Sequence, residues 1–409
     1  MLVTITLSFL LLIANLVLAT LTQNGTACTV TPLTGTGTLD DTPQILDAFR
    51  KCGKEGSIGL TEGTFHIGKV IDVIDLRNCD ISIRGTLIWS TDIRYWLRSS
   101  ISVTYAGRST AWRIGGTNIT LRGYGKALFN GNGQTWYDQN RNQGNQNGRP
   151  ISLTLWHATN ILVDGITWSQ PQFWNTFVAY SKNVTMTNLA MSAISNSQWK
   201  TVNTDGVNTW NSQDIVISNW TVTSGDDCIS VKGNSKNVHV SNIVCHESGG
   251  MCVGSIANGV TENVENVVFQ NVSLTHSSNA AWIKTYPTGG GYVKNVLFKD
   301  ITFDDVNQPI YITSCIYSNT NCDSSRLQIS DIRWENIKGT SRYNVGAGIH
   351  CSGSAPCKNL TFSGIDIRQK TGGGSVQYLC SNIANQGTSG LACTGTCPAG
   401  WVQQLSGNH

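Results

Sequence analysis

A seven-residue pattern recurs eight times in this chain: Asn or, once, Asp, then apolar, any, apolar, any, polar or Gly, apolar. It occupies 118–124, 160–166, 183–189, 214–220, 237–243, 266–272, 295–301 and 359–365. Successive starts through Asn295 lie 42, 23, 31, 23, 29 and 29 residues apart. Apolar-polar alternation is the period of a strand half-buried in a sheet. Repetition at intervals of about 20–50 residues marks a stacked array whose units bury their apolar faces on one another. Each unit reads as strand, polar bend, strand. The leucine pattern and per-unit helix of a leucine-rich repeat are both missing. The chain is therefore expected to be all-β and wound as a right-handed parallel β-helix. The recurring Asn belongs at the bend, where it tolerates left-handed backbone and can bond its counterpart one coil away. Uneven spacing fits loops of variable length that leave one edge of the coils and form a cleft.

The ends of such an array need covers. Asp40-Asp41-Thr42-Pro43 precedes an apolar stripe over 44–50, which predicts a short N-terminal capping helix. No other stretch carries a clear helix signal. Residues 1–19 read as a secretory signal, apolar from Leu2 to Leu18 and ending Val17-Leu18-Ala19. As a membrane span the run is at the short limit, and no second one follows. Residues 20–409 are then expected to form one β-helix domain, with a Gly- and Cys-rich tail from about Gly372. Six Asn-X-Ser/Thr sequons and thirteen cysteines fit an exported, disulfide-bonded chain with one odd thiol. Cys315/Cys322, Cys351/Cys357 and Cys393/Cys397 are close enough to staple local loops. Cys228 and Cys245 would tie one coil to the next, and Cys252 is the expected unpaired residue. A net charge of +3 without a basic block offers no nucleic-acid footprint. No membrane partner is implied, and the chain is expected to be a monomer.

The chemistry concentrates in 203–228. Asn203-Thr204-Asp205-Gly206 opens the segment and Gly225-Asp226-Asp227-Cys228 closes it. Asp205 and Asp226 are 226 − 205 = 21 residues apart, about one coil, so both clusters are expected on one face of adjacent coils. Paired strands of adjacent coils lie ~4.8 Å apart. Carboxylates this close split their proton affinities, so that one stays protonated and the others stay ionised. That pair of roles is what hydrolysis of a glycosidic bond requires. One Asp-rich cluster alone would read as a turn; two clusters one coil apart read as a site. Trp136, Tyr137, Trp168, Phe173 and Trp174 either line a saccharide groove by stacking or pack the core. Lys232, shortly after the acid cluster, is expected at the surface or coil edge.

The two Asp motifs in a β-helix setting resemble glycoside hydrolase family 28, the pectin-degrading polygalacturonases and their relatives. The resemblance runs from about Cys28 to about Cys397. It implies metal- and cofactor-independent hydrolysis with inversion at the anomeric carbon, on a pectic polysaccharide outside the cell. By it, Asp226 is the general acid, and Asp205 and Asp227 hold the attacking water. Inverting carboxyls are expected ~6.5–9.5 Å apart. Asn203 would orient Asp205 or bind sugar. Two family motifs depart. The family's His falls on Gly249, while His246, three residues earlier, is a candidate binding residue that alternation turns to the other face. The family's Arg-Ile-Lys is here Trp282-Ile283-Lys284, which keeps a point charge, loses the bidentate guanidinium and gains a stacking face. Tyr317 is the favoured candidate for the family's substrate-binding Tyr. These residues point to an exo-acting hydrolase of α-linked galacturonic acid. Rhamnogalacturonan-cleaving activity is the alternative, since such family members also lack the His. Of other classes, a non-catalytic pectin-binding β-helix competes. A pectate lyase fits less well, because no Arg stands beside the Asp clusters.

Overall fold

Alternation in the sequence becomes winding in space. Strands Lys182–Ser192, Gln213–Thr223 and Lys236–His246 pair in parallel, with Val184 beside Ile215 and Ile215 beside Val238. All three side chains point inward and are buried. The computed structural model describes residues 20–371 and 374–400. Over these, nearly every strand pairs in parallel with the equivalent strand one coil away, and the winding is the right-handed one that parallel connections adopt. The signal expected at 1–19 lies outside the described residues. No helix among the described residues is long and apolar enough to cross a membrane.

The eight repeat-opening residues all take left-handed backbone, with φ between +52° and +60°. Asn and Asp visit this region more readily than most side chains. Each amide then reaches along the stack: Asn160 Nδ2 donates to Asn118 Oδ1 at 2.8 Å, and Asn183 Nδ2 to Asn160 Oδ1 at 2.9 Å. Farther on, Asn266 Nδ2 donates to Asn237 Oδ1 at 2.9 Å and Asn295 Nδ2 to Asn266 Oδ1 at 2.8 Å. Inside, like sits on like: Phe298 stacks on Phe269 at 5.0 Å, and Phe362 on Trp334 at 4.5 Å.

Helix α1, Thr42–Cys52, turns Ile45, Ala48 and Phe49 onto the first coils, and Phe49 meets Trp112 edge-on. Asp41 does not cap it through its side chain. Its carboxylate instead takes the backbone N–H groups of Leu33 and His66. Two further helices were not anticipated, α2 (Ile93–Ser99) and α3 (Gly133–Asn140). Both are too short to carry a periodic stripe. Trp136 and Tyr137 of α3 are buried, as are Trp168, Phe173 and Trp174, so all five pack.

The sheet that matters for function runs β1 (Thr176–Ala179), β2 (Val207–Trp210), β3 (Ile229–Val231), β4 (Met251–Ile256), β5 (Asn279–Thr285), β6 (Gln308–Thr313) and β7 (Val345–His350). Register aligns Phe177, Asn208, Ser230, Cys252, Trp282 and Tyr311 in one outward row.

Disulfides join Cys28–Cys52, Cys228–Cys245, Cys315–Cys322, Cys351–Cys357 and Cys380–Cys393. The Cys393–Cys397 staple is thus corrected: Cys393 bonds Cys380, because Gln377–Ser381 is a strand beside β7 that carries Cys380 back to it. Three thiols are free rather than one, Cys79, Cys252 and Cys397, all buried.

Candidate active site

Asp205 stands two residues before β2 and Asp227 two residues before β3, and Val207 pairs with Ile229. Adjacent coils therefore bring the acid clusters together. One oxygen each of Asp205, Asp226 and Asp227 lies within 4.8 Å of the others. This is tighter than the separation expected of an inverting pair. The reason is local: the groups sit on neighbouring rungs, and Asp226 and Asp227 are consecutive. Such spacing suits a divalent cation too, but Lys284 Nζ already bonds both oxygens of Asp227, at 2.9 and 2.8 Å.

Backbone and side-chain bonds fix each acid. Asn203, left-handed at φ +58°, donates from Nδ2 to Asp226 Oδ2 at 2.9 Å. Of the two roles expected of Asn203, orienting an acid or binding sugar, it makes the first kind of contact, to Asp226 and not to Asp205. Asn203 Oδ1 accepts the Asn145 N–H at 2.9 Å. The 141–149 loop can approach this closely because residue 144 is glycine; a Cβ there would lie 2.2 Å from Asn203 Oδ1. Thr204 Oγ1 accepts the Gly225 N–H, and the Gly206 N–H donates to Asp227 O, so the two motifs clasp each other. The Cys252 thiol donates to Asp227 Oδ2 at 3.3 Å. Asp205 is 3% exposed, and its Oδ1 has no protein donor among the described residues.

Burial raises the proton affinity of Asp205 well above the ordinary carboxylate range, and the charges of Asp226 and Asp227 add to it. Asp226 is raised as well, by burial first and then by Asp227. Lys284 pays for its burial with the contact to Asp227, which holds its ammonium well above the ordinary lysine value.

A cleft of about 690 Å³ opens over these groups. Asp226, Asp227, Lys284, Trp282 and Tyr317 line it, with Ile194 and Trp199 on the opposite wall. The Lys284 ammonium lies 4.0 Å above the Trp282 ring. Helix α3 braces the far wall, where Gln134 and Asp138 bond Ser195 and Ser197. His246 is not in the lining; its Nδ1 bonds Thr275 Oγ1 at 2.5 Å. The strand alternation that turned it away from Gly249 is the reason. Lys232, expected at the surface, is 4% exposed. Its position on the outward face beyond Ser230 was the available signal, but the loops that bury it come from distant sequence.

One coil before Asp205, Tyr105 packs on Trp174, Phe177 and Trp210 at ring distances of 5.9, 5.7 and 5.0 Å. Arg108 lies over Phe173 and Trp174. This aromatic cluster covers the outward face of β1 and β2, and none of its residues lines the cleft.

Comparison with known proteins agrees with the geometry. Residues 69–393 match the family model for glycosyl hydrolases family 28. An α-L-rhamnosidase of Aspergillus niger is 33% identical over 94% of this chain and 94% of its own. An exopolygalacturonase of Cochliobolus carbonum is 33% identical over 85% of this chain and 82% of its own. Among solved structures, the endo-xylogalacturonan hydrolase of Aspergillus tubingensis superposes with a TM-score of 0.80, at 29% identity, covering 91% of this chain and 100% of that one. A β-helix with three clasped carboxylates beside a cleft, matched along most of its length, belongs to glycosyl hydrolases family 28.

Proposed function

We propose that this chain is a secreted hydrolase that removes α-linked galacturonic acid from the ends of pectic chains, of the galacturan 1,4-α-galacturonidase type. The observation that carries the hydrolase reading is the close trio of Asp205, Asp226 and Asp227, two of which line the cleft. The exo mode extends that reading and is drawn from likeness to relatives. The exopolygalacturonase relative supports the same reading. Five disulfides fit an oxidising compartment outside the cell. The described coils are taken as one catalytic unit that works as a monomer.

The roles follow from position. Asp205 has the greater proton affinity but lies beneath the cleft floor, whereas Asp226 faces the cleft. Asp226 therefore gives its proton to the glycosidic oxygen as the C–O bond breaks. Water, held by Asp205 and Asp227, attacks the anomeric carbon from the other side, and the Asp227 carboxylate takes its proton. Lys284 and Cys252 fix the Asp227 carboxylate, so it holds water rather than bonding the sugar itself. The product then has inverted configuration, despite a spacing nearer that of retaining pairs at ~5–5.5 Å. Proton NMR of the first-formed product from oligogalacturonides decides this; retained configuration would make Asp227 or Asp205 a nucleophile. Release of single residues, without early appearance of larger oligomers, is the expected product pattern.

One observation favours a second reading. Lys284, the remainder of the family's carboxylate clamp, is occupied by Asp227, and Trp282 stands in place of its guanidinium. A neutral terminal sugar such as rhamnose would need no clamp, and the α-L-rhamnosidase relative fits it. Parallel assays on polygalacturonan and rhamnogalacturonan separate the two.

A further inference from the structure

The acids divide the cleft into two halves. Ser192 pairs with Thr223 one coil on, and the turn that carries Asp226 comes shortly after Thr223. The 193–201 loop therefore leaves the stack one coil before the acids. On the other side, register carries Ile229 to Met251 and Met251 to Ala281, so Lys284 stands two coils beyond them. The Lys284 half is charged: it holds the pair with Asp227 and, at its edge, Glu247. The loop half is walled by Ile194 and Trp199.

That wall is open apolar surface. Among the described residues the two most exposed large hydrophobic side chains are Tyr317, at 65%, and Ile194, at 60%. Both line this cleft. Apolar surface left open beside a reactive centre marks a place that a ligand covers. Trp199 is half-buried, and its loop is held from several sides. Its backbone N–H donates to Ser197 Oγ at 3.2 Å, and Ser197 Oγ donates to Asp138 Oδ1 at 2.6 Å. The backbone N–H of Lys200 donates to Asn142 Oδ1 at 2.7 Å, and that of Asn196 to Gln134 Oε1 at 2.8 Å. The Arg141 guanidinium stands 5.8 Å from the Trp199 ring centroid. Arg141 does not line the cleft, so the indole is backed by the cation on one side and meets the cleft on another. An aromatic fixed in advance binds without the entropy cost of ordering it.

We infer that Trp199, extended by Ile194, is the stacking platform for the sugar on the 193–201 side of the scissile bond. A pyranose turns an apolar face of C–H bonds outward, and an indole is a broad, flat complement to it. This rests on the hydrolase reading and deepens it. The contact asks only for a ring face, so it serves a galacturonate or a neutral sugar at that position.

The test measures binding by calorimetry in full-length D226N, where turnover is blocked, with an oligogalacturonide and a rhamnogalacturonan oligomer as probes. Adding W199A is expected to weaken the oligomer that binds by about 10-fold, W199F to recover most of the loss, and I194A to cost about 2-fold. With Asp226 intact, the W199A loss in kcat/KM should fall on KM, as for an interaction made equally before and during the reaction. Unchanged affinity in D226N/W199A would overturn the inference. So would a loss that W199F shares in full, or a fall in kcat at constant KM, which would make Trp199 a brace for the acids. Should W199A not fold, the Trp199 indole N–H resonance, assigned by its loss in W199F, decides: it must shift when the oligomer binds, and a resonance that stays put overturns the inference. Failure of the galacturonidase reading looks different. The rhamnogalacturonan oligomer would then bind in place of the galacturonide, with the share due to Trp199 intact.

Discussion

Two walls of the same coils obey opposite rules. Along the asparagine wall each side-chain amide bonds its counterpart on the preceding rung, from Asn118 to Asn160 to Asn183 and again from Asn237 to Asn266 to Asn295. Along the acid wall the rungs are unlike: Phe177, Asn208, Ser230, Cys252, Trp282. Asn208 is buried with neither end of its amide bonded, and Asp205 Oδ1 has no protein donor. Like neighbours satisfy one another, and that makes a stiff frame. Unlike neighbours leave charge and polarity unspent, and the frame holds them in place. Stability and function are thus divided between two edges of one winding.

The sharpest way to break this division is Asp226→Asn. It should lower kcat by about 10²–10⁴-fold, with the thermal midpoint unchanged or raised; undiminished turnover would remove Asp226 from the chemistry. Lys284→Met comes next. It leaves the Asp227 carboxylate buried without its cation, a loss of about 3–5 kcal/mol in denaturant unfolding. A loss as small as that of a surface pair would show that this buried contact contributes no more than an exposed one.

Changing pH probes the acid wall alone. Asp205 and Asp226 bind protons more tightly folded than unfolded. Their contribution to stability is therefore complete below the unfolded carboxylate pKa and is lost as pH rises through the folded values. The alkaline limb of kcat/KM should accordingly lie above the ordinary carboxylate range, and stability should fall over the same interval. A limb at the ordinary value would contradict the burial that raises Asp226. On the other wall, Asn266→Ala removes two ladder bonds, with Asn237 and Asn295, and should cost about 1–3 kcal/mol without altering kcat. The smallest effect is expected from His246→Ala. Its ring is outside the cleft, so transition-state binding should change by no more than about 0.5 kcal/mol; a larger change in kcat/KM would return it to the site.

What could be read beforehand follows the same division. The asparagine wall announces itself because a repeat is visible wherever it occurs. The acid clusters were legible because each is a short motif and one coil separates them. Lys232 was not, since Lys232-Gly233-Asn234 looks like an ordinary turn. Its burial comes from Tyr105 and Trp174, more than fifty residues away. Helix α3 escaped for the same reason: it is held by bonds to 195–197 rather than by a stripe of its own. The Cys380–Cys393 bond could not be chosen from spacing, because thirteen cysteines permit many pairings. Local pattern was readable, and long-range closure was not.

Gly249 carries a final consequence. A Cβ at this position would lie 2.7 Å from Asp227 Oδ1 and 2.9 and 3.0 Å from its N and Cα. Two of these neighbours are main chain and cannot swing aside. The family motif that the sequence resembles would set histidine here, yet Gly249→His would not be a simple replacement. It would push apart the very rungs that bring the acids together, so the missing imidazole has become a commitment rather than a vacancy waiting to be refilled.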